Sequence, residues 1–498
     1  MHALIWFALV PWFFALERTR DTKKRFQLGL LFSFVMTAGG FYWVIYALHN
    51  FGPMPYVFAG FLGILFFVIG QPQFYLMGPL FGWLLDRRVN NKILCLMMAA
   101  TYTCVDYIAP RLFVDGMGYS LVSNPCASQW AEFGGLSLLT FWVIWVNALI
   151  YLGLSAPLKK DKIQRLALAA LILVIVHGWG AWRERDIEQT LASTTANKLN
   201  ISVIQANIGD AQKLASERGY KEASDQVIGS YLYMSGLASQ QTPKPDAIIW
   251  PETAYPLIWG KPHGSHEQSR EQKIIDLVKG SKVPLIFGAY DNDGSSDYNT
   301  LYYLEHSQKL AKYHKTILLP FAEYIPGFQN WKWFRDQFPQ MGFFGPGDGP
   351  VVIETQTGDK KFKTAPLICY EGLFASFTRA QKKLGAEILL NVTNDSWFGP
   401  YGEPYLHLAL TRLRSVETRT PLLRATNTGI TTLVEPTGRL TSQTGVGTSL
   451  IANYVVNTHP FPLTPYVKYG DLWLIPMSIL TLVSLLIIRK KYKHSIQS

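Results

Sequence analysis

The sequence predicts a polytopic α-helical membrane domain joined to an exported α/β sandwich domain, and three observations predict it. Residues 26–85 contain no Asp, Glu, Lys or Arg. Basic residues gather in every second connection between apolar runs. From residue 183 to 471 the pattern changes to mixed polarity, with short β-branched runs that end in turn-forming residues. Composition excludes two broad classes. Of the 498 residues 49% are hydrophobic and 16% charged, whereas a soluble globular chain carries about 25% charged residues. A net charge of +11 on so few charged side chains is not the footprint of a nucleic-acid binder.

The membrane elements follow from length. A hydrocarbon core of about 30 Å takes about 20 helical residues, so the uncharged stretch divides at His49-Asn50-Phe51-Gly52-Pro53 into spans near 27–48 and 57–84. Similar runs near 3–16, 92–109, 134–155, 166–182 and 472–488 bring the expected number to seven. The run 3–16 lacks the basic start and small-residue cleavage site of a signal peptide and is read as a span. Segments 17–25, 86–92, 158–165 and 489–493 net +3, +2, +3 and +4, which accounts for the whole positive excess. By the positive-inside rule these connections are cytoplasmic. The N-terminus and the block 183–471 then lie on the other side. The expected division is a membrane domain of six spans over 1–182, an exported domain over 183–471, and a last span with a basic tail over 472–498.

In the exported block, strands are expected near 201–205, 247–250, 285–289, 300–304, 365–369, 388–392, 422–425 and 431–434. Helices are expected at 211–238, 269–279, 373–384 and 404–418. Alternating strands and helices with hairpin-like pairs between them indicate an α/β sandwich with a mixed sheet.

Three motifs stand at strand ends in this block: Trp250-Pro251-Glu252 after an apolar run, His314-Lys315-Thr316 ahead of Leu318-Leu319-Pro320-Phe321-Ala322-Glu323, and Leu367-Ile368-Cys369-Tyr370-Glu371 closing another apolar run. They supply a carboxylate, an ammonium and a thiol. A thiol is the strongest nucleophile among side chains, a carboxylate can take its proton, and an ammonium stabilises both the thiolate and a tetrahedral oxyanion. Taken singly, each residue has an ordinary reading as a core cysteine, a solvated turn or a surface lysine. Their conjunction carries the chemistry.

Glu, then Lys, then Cys in that order resembles the catalytic set of the nitrilase superfamily of carbon-nitrogen hydrolases. Set between the sixth and last spans of a membrane protein, it resembles the apolipoprotein N-acyltransferase family. Further matches are Leu319 to Pro326, Asn394-Asp395-Ser396-Trp397-Phe398-Gly399, and Pro421 to Ile430. Two departures are visible. The family has eight spans, so this chain is expected to begin at the family's second. A family Trp beyond the Gln205-Ala206-Asn207-Ile208 segment is missing at Lys213-Leu214-Ala215, where Leu214 or a neighbour takes its place.

The resemblance implies a nitrilase-like αββα sandwich and ping-pong acyl transfer. Cys369 attacks an acyl ester of a phospholipid, expected to be phosphatidylethanolamine, with Glu252 as general base and Lys315 as electrostatic stabiliser. The thioester then passes its acyl chain to the α-amine of a lipoprotein's diacylglyceryl-cysteine. Glu323 is expected to hold Lys315, Glu371 to orient the amine, the Tyr370 backbone to assist the oxyanion, and Asn299 and Trp397 to touch substrate. A monomer in the bacterial inner membrane, with its catalytic domain periplasmic, is the family expectation. No metal-ligand spacing and no phosphate loop is visible, so no metal or cofactor is expected.

Residues 321–344 hold nine aromatics, a density that suggests an arm dipping into the outer leaflet. Cys369 is expected to be a free thiol rather than bridged to Cys126. Two other readings are a membrane-anchored amidase, with water as acceptor, and a transporter with an exported binding domain. The latter predicts several ionisable residues inside the spans, where Asp106 stands alone.

Overall fold

The computed structural model describes residues 3–50, 52, 54–87, 91–193, 198–327, 333 and 343–497. Two compact units emerge, one formed by Met1–Ile45, Tyr56–Gln189 and Thr464–Ser498, the other by Tyr46–Pro55 and Thr190–Leu463.

The first unit is helical. Among the described residues, Tyr56–Asp86, Ala131–Leu154 and Lys159–Ser193 are long and apolar enough to cross a membrane, and the pair Thr22–Phe41 and Val44–Asn50, bent by 59°, makes a fourth if taken as one span. The other expected spans coincide with shorter or basic-ended helices at Val10–Arg18, Asn91–Ile108 and Leu474–Gln497. The first of these is short because Pro11 starts it after a separate 3-10 turn at Leu4–Trp6; a proline lacks the N–H that would join the two. Val57, Phe61, Val174 and Leu480 are more than half exposed, the pattern of side chains that face lipid. Thr22–Phe41 and Pro72–Asp86 approach so closely that a Cβ on Gly78 would sit 2.4 Å from the Arg25 carbonyl oxygen, the small-residue contact of membrane helices. Asp106 is buried and pairs with Arg111 at 3.2 Å, so its charge is neutralised in place.

Among the described residues the second unit contains two six-stranded mixed sheets, as the αββα resemblance implies, whereas the alternation of elements by itself suggested one. The chain makes β1 (Lys198–Gln205), β2 (Ala247–Ile249), β3 (Leu285–Asn292), β4 (Asp297–Leu304) and β5 (Leu310–His314), then β6 (Ile353–Thr357), β7 (Lys360–Ile368), β8 (Ile388–Thr393), β9 (Leu422–Thr426), β10 (Thr432–Val434) and β11 (Leu440–Gln443). It returns as β12 (Leu450–Asn457) to pair antiparallel with β1. The first sheet runs β12-β1-β2-β3-β4-β5 and the second β11-β10-β9-β8-β7-β6. Within them β1, β2 and β3 are mutually parallel, as are β7, β8 and β9.

The inner faces meet: Thr426 of β9 donates to Gln205 of β1 at 3.2 Å, and Thr364 of β7 donates to Tyr303 of β4 at 3.1 Å. Helices Lys221–Ser239 and Ser265–Ser281 cover the first sheet through Val227, Tyr231, Ile274 and Val278, which close on Ile248, Trp250 and Phe287. Trp250 is fully buried, and its ring N–H donates to Ser235 at 2.8 Å, which satisfies the polar edge of a large apolar group. The expected helix 211–238 is two helices, Asp210–Glu217 and Lys221–Ser239, because Gly219 turns the chain at a φ of 81°. Four of the nine aromatics in the stretch 321–344, Phe328, Trp331, Phe334 and Phe338, lie outside the described residues; Phe321 and Trp333 are exposed.

Candidate active site

Parallel strands deliver their C-terminal ends to one edge of each sheet, and that is where the three motifs meet. Glu252 follows β2, Cys369 follows β7 and Asn394 follows β8, while Lys315 follows β5 of the antiparallel hairpin. The turn after β2 fits against β3 because position 288 is glycine: a Cβ there would lie 2.4 Å from the Thr253 nitrogen and 2.6 Å from the Pro251 oxygen.

The Glu252 carboxylate is buried and held by two donors, Asn299 Nδ2 at 2.8 Å on Oε1 and the Asn394 backbone N–H at 2.9 Å on Oε2. Lys315, 1% exposed, directs its ammonium to Glu323 Oε1 at 2.7 Å and lies 3.6 Å from Glu252 Oε1. Glu323 is itself fixed, since its other oxygen accepts the Leu319 N–H at 2.7 Å. Burial alone would push the Lys315 pKa down, but the charges of Glu323, Glu252 and a Cys369 thiolate outweigh it, and the pKa is raised. Burial raises the Glu252 pKa above the usual carboxylate range, Lys315 pulls it back, and Glu323 adds to the rise. Glu252 is therefore a stronger base than a free carboxylate.

Cys369 carries a free thiol and is buried. Its backbone has a φ of 52°, a left-handed conformation that a side chain adopts at a cost of about 1–3 kcal/mol. The turn from β7 into the 3-10 segment Cys369–Leu373 imposes it. Burial and the neighbouring Glu252 hold the thiol protonated, well above its ordinary pKa, and Lys315 opposes them. The arrangement rests as a neutral thiol beside a basic carboxylate, ready for a proton transfer coupled to attack.

The other expected site residues divide. Asn299 reaches both acids, with Glu323 Oε1 at 3.4 Å. Trp397 sits in the 3-10 turn Asp395–Phe398 that follows Asn394. Tyr370 is buried directly after the thiol. Glu371 is wholly buried, and its two oxygens accept from Tyr313 Oη at 2.6 Å, Thr316 N at 2.7 Å, Ile317 N at 3.1 Å and Ile368 N at 2.7 Å. It thus ties the turn after Lys315 to the turn that carries Cys369. Burial pushes its pKa up to about 7.

Sequence reasoning missed a second layer behind the thiol. The Cys369 carbonyl accepts from Asn391 Nδ2 at 3.3 Å and faces His407 Nε2 at 3.3 Å. His407 Nδ1 lies 3.3 Å from Asp395 and 3.2 Å from Glu403, and Arg424 pairs with Asp395 at 2.8 Å. Asp395, Glu403 and His407 place ligand atoms close enough to hold a metal ion, but the Arg424 guanidinium already supplies the positive charge. The signal for this layer lay in Glu403 and His407, one helical turn apart on Glu403–Thr418. Lys213, next to the substituted Leu214, is buried, donates to the Thr253 carbonyl and pairs with Glu217 at 3.3 Å, so it braces the turn that carries Glu252.

Residues 200–455 match the carbon-nitrogen hydrolase family and residues 1–149 match the apolipoprotein N-acyltransferase N-terminal domain. The chain is 32% identical over 495 residues to the apolipoprotein N-acyltransferase of Bdellovibrio bacteriovorus, covering 96% of this chain and 88% of that protein. It is 25% identical to that of Geobacter metallireducens, with 99% and 92% covered, and 27% identical to that of Haemophilus influenzae, with 93% and 87% covered. Among solved structures, Saccharomyces cerevisiae Nit3, a member of branch 10 of the nitrilase superfamily, aligns at 17% identity with a TM-score of 0.39, covering 57% of this chain and 97% of that one.

Proposed function

The chain belongs to the apolipoprotein N-acyltransferase family, and on that premise we propose the route by which its residues carry out the transfer. It is a membrane acyltransferase of lipoprotein biosynthesis, with lipid and lipoprotein substrates. In the proposed route Cys369 Sγ attacks the carbonyl carbon of a phospholipid acyl ester while Glu252 takes the thiol proton. The tetrahedral oxyanion is stabilised by Lys315. Collapse breaks the ester C–O bond, Glu252 returns the proton to the departing lysophospholipid oxygen, and a thioester remains. The α-amine of a diacylglyceryl-cysteine then attacks the thioester, Glu252 takes the amine proton, and the Cys369 thiolate leaves and is reprotonated. The product is an amide. This is covalent catalysis in two half-reactions.

One observation carries the reading: a lysine that is 1% exposed stands between two carboxylates at 2.7 and 3.6 Å, with a strained, buried thiol close enough for its charge to act on the same ammonium. Asn299 and Glu323 position Glu252 and Lys315, Trp397 and the Tyr370 backbone contact substrate, and Glu371 acts through the two turns it joins. Phosphatidylethanolamine is the proposed donor, the protein acts as a monomer, and the reaction takes place on the periplasmic side of the inner membrane. The basic connections support that orientation. The exported domain is taken as 183–471, flanked by spans in 1–182 and 472–498, and the aromatic stretch 321–344 as an arm at the lipid entrance.

The test is the intact mass of the full-length protein after incubation with phospholipid and no acceptor. A gain of one acyl chain, absent in Cys369→Ala, is expected. No gain in the active protein overturns the acyl-enzyme route.

A further inference from the structure

Beside the Asp395–Phe398 turn the second unit has an open cavity of about 170 Å³ lined by Asp210, Ser396, Thr428 and Tyr46 and by backbone at Gly399 and Gly447. Asp210 Oδ1 and Ser396 Oγ, solvent-inaccessible atoms of two half-buried side chains, stand near each other without a well-formed hydrogen bond. A buried carboxylate oxygen in that condition is costly. Burial raises the Asp210 pKa; the Ser396 hydroxyl stands beside it and offsets this in part.

Among the described residues the cavity has acceptors and no cation. None of its lining residues is Lys or Arg, and the two nearby buried cations are committed, Lys213 to Glu217 and the Thr253 carbonyl, Arg424 to Asp395. One wall is aromatic: a Cβ on Gly399 would lie 3.1 Å from Tyr46 Cε1. A carboxylate, hydroxyls and a ring together suit an organic ammonium. An anion is repelled by Asp210. A divalent metal needs more oxygen charge than one carboxylate offers. The cavity also shares a turn with the reacting groups, because Ser396 is two residues beyond Asn394, whose N–H holds Glu252.

We propose that this cavity is a subsite for the primary ammonium of a substrate, with Asp210 as its counter-ion. The proposal rests on the acyl-transfer reading above. Two substrates carry that chemistry: an ethanolamine headgroup on the donor and the α-ammonium of the acceptor. The full-length protein, wild type and Asp210→Asn, is loaded in single-turnover assays with phosphatidylethanolamine and, separately, with 4-nitrophenyl palmitate, which has no headgroup. Each acyl-enzyme is then chased with a diacylglyceryl-cysteine peptide.

If the headgroup occupies the cavity, Asp210→Asn slows loading from phosphatidylethanolamine by about 10- to 100-fold and leaves loading from the nitrophenyl ester unchanged. If the acceptor amine occupies it, loading is unchanged and the chase slows by the same factor. Asp210→Glu restores part of either loss. Equal loss with both donors, or no loss in any step, overturns the subsite. Ser396→Ala follows the same pattern with a smaller loss and guards against misfolding of the charge variant. Failure of the wild type to load from either donor instead overturns the acyl-transfer route itself.

Discussion

The ammonium of Lys315 lies 2.7 Å from Glu323 and 3.6 Å from Glu252, so Glu323 holds the lysine more closely than Glu252 does. Glu323 in turn is anchored by the Leu319 N–H. In the proposed route, removal of the lysine charge therefore acts on both the oxyanion and the base. Lys315→Met is expected to lower the single-turnover acylation rate by about 10²- to 10³-fold.

The same substitution shifts the pH profile. Lys315 depresses the Glu252 pKa against burial, and in the proposed route acylation needs ionised Glu252. In Lys315→Met the acidic limb of the acylation profile moves to higher pH. In Glu323→Gln, which removes a negative neighbour that raises the Glu252 pKa, it moves to lower pH if Lys315 stays in place. Acyl-enzyme formation measured by mass across pH separates the two; shifts in the same direction refute the assignment.

Cys369 has a φ of 52° whatever its chemistry. Cys369→Ala keeps the left-handed strain and Cys369→Gly relieves it. The glycine variant is expected to be more stable than the alanine variant by up to about 1 kcal/mol, measured by thermal unfolding in detergent, although both are inactive.

Glu371 has a folded pKa of about 7 against an ordinary value of 4.5. The folded state then binds the proton more tightly than the unfolded state. Its contribution is fully present below about pH 4.5 and is lost as pH rises through about 7. Glu371→Gln is expected to flatten this part of the stability profile. It also lowers activity, because an amide cannot accept from all four donors that join the Lys315 and Cys369 turns.

Arg424 and Asp395 are both essentially unexposed and pair at 2.8 Å. Arg424→Met strands a buried carboxylate next to Glu403 and His407, and a loss of about 3–5 kcal/mol is expected. The double variant Arg424→Met, Asp395→Leu recovers part of it. No recovery in thermal unfolding would show that the ion pair is not what the single variant breaks.

Much of this protein is legible along the chain because the relevant physics is local. An uncharged run long enough to cross lipid, the Lys and Arg bias of short connections, and β-branched runs ended by turns are nearest-neighbour properties. All eight expected strands occur as strands, and Glu252 and Cys369 each follow one of them, whereas Lys315 follows β5, which the pattern does not mark. Strands β5, β6, β11 and β12 were not anticipated; they are more polar or more exposed, and long-range pairing stabilises them. β12 pairs with β1 across some 250 residues of chain.

What the tertiary structure decided is which of these groups meet. The sequence determined that a carboxylate, an ammonium and a thiol stand at the ends of separate segments. Only the sheet order brings those ends together, and burial together with the neighbouring acids raises the Glu252 pKa and keeps the Cys369 thiol neutral. The Asn391, His407 and Arg424 layer behind the thiol, the bracing Lys213 and the Asp210 cavity arise in the same way. Desolvation and hydrogen-bond pairing depend on neighbours distant in sequence, and no local pattern records them.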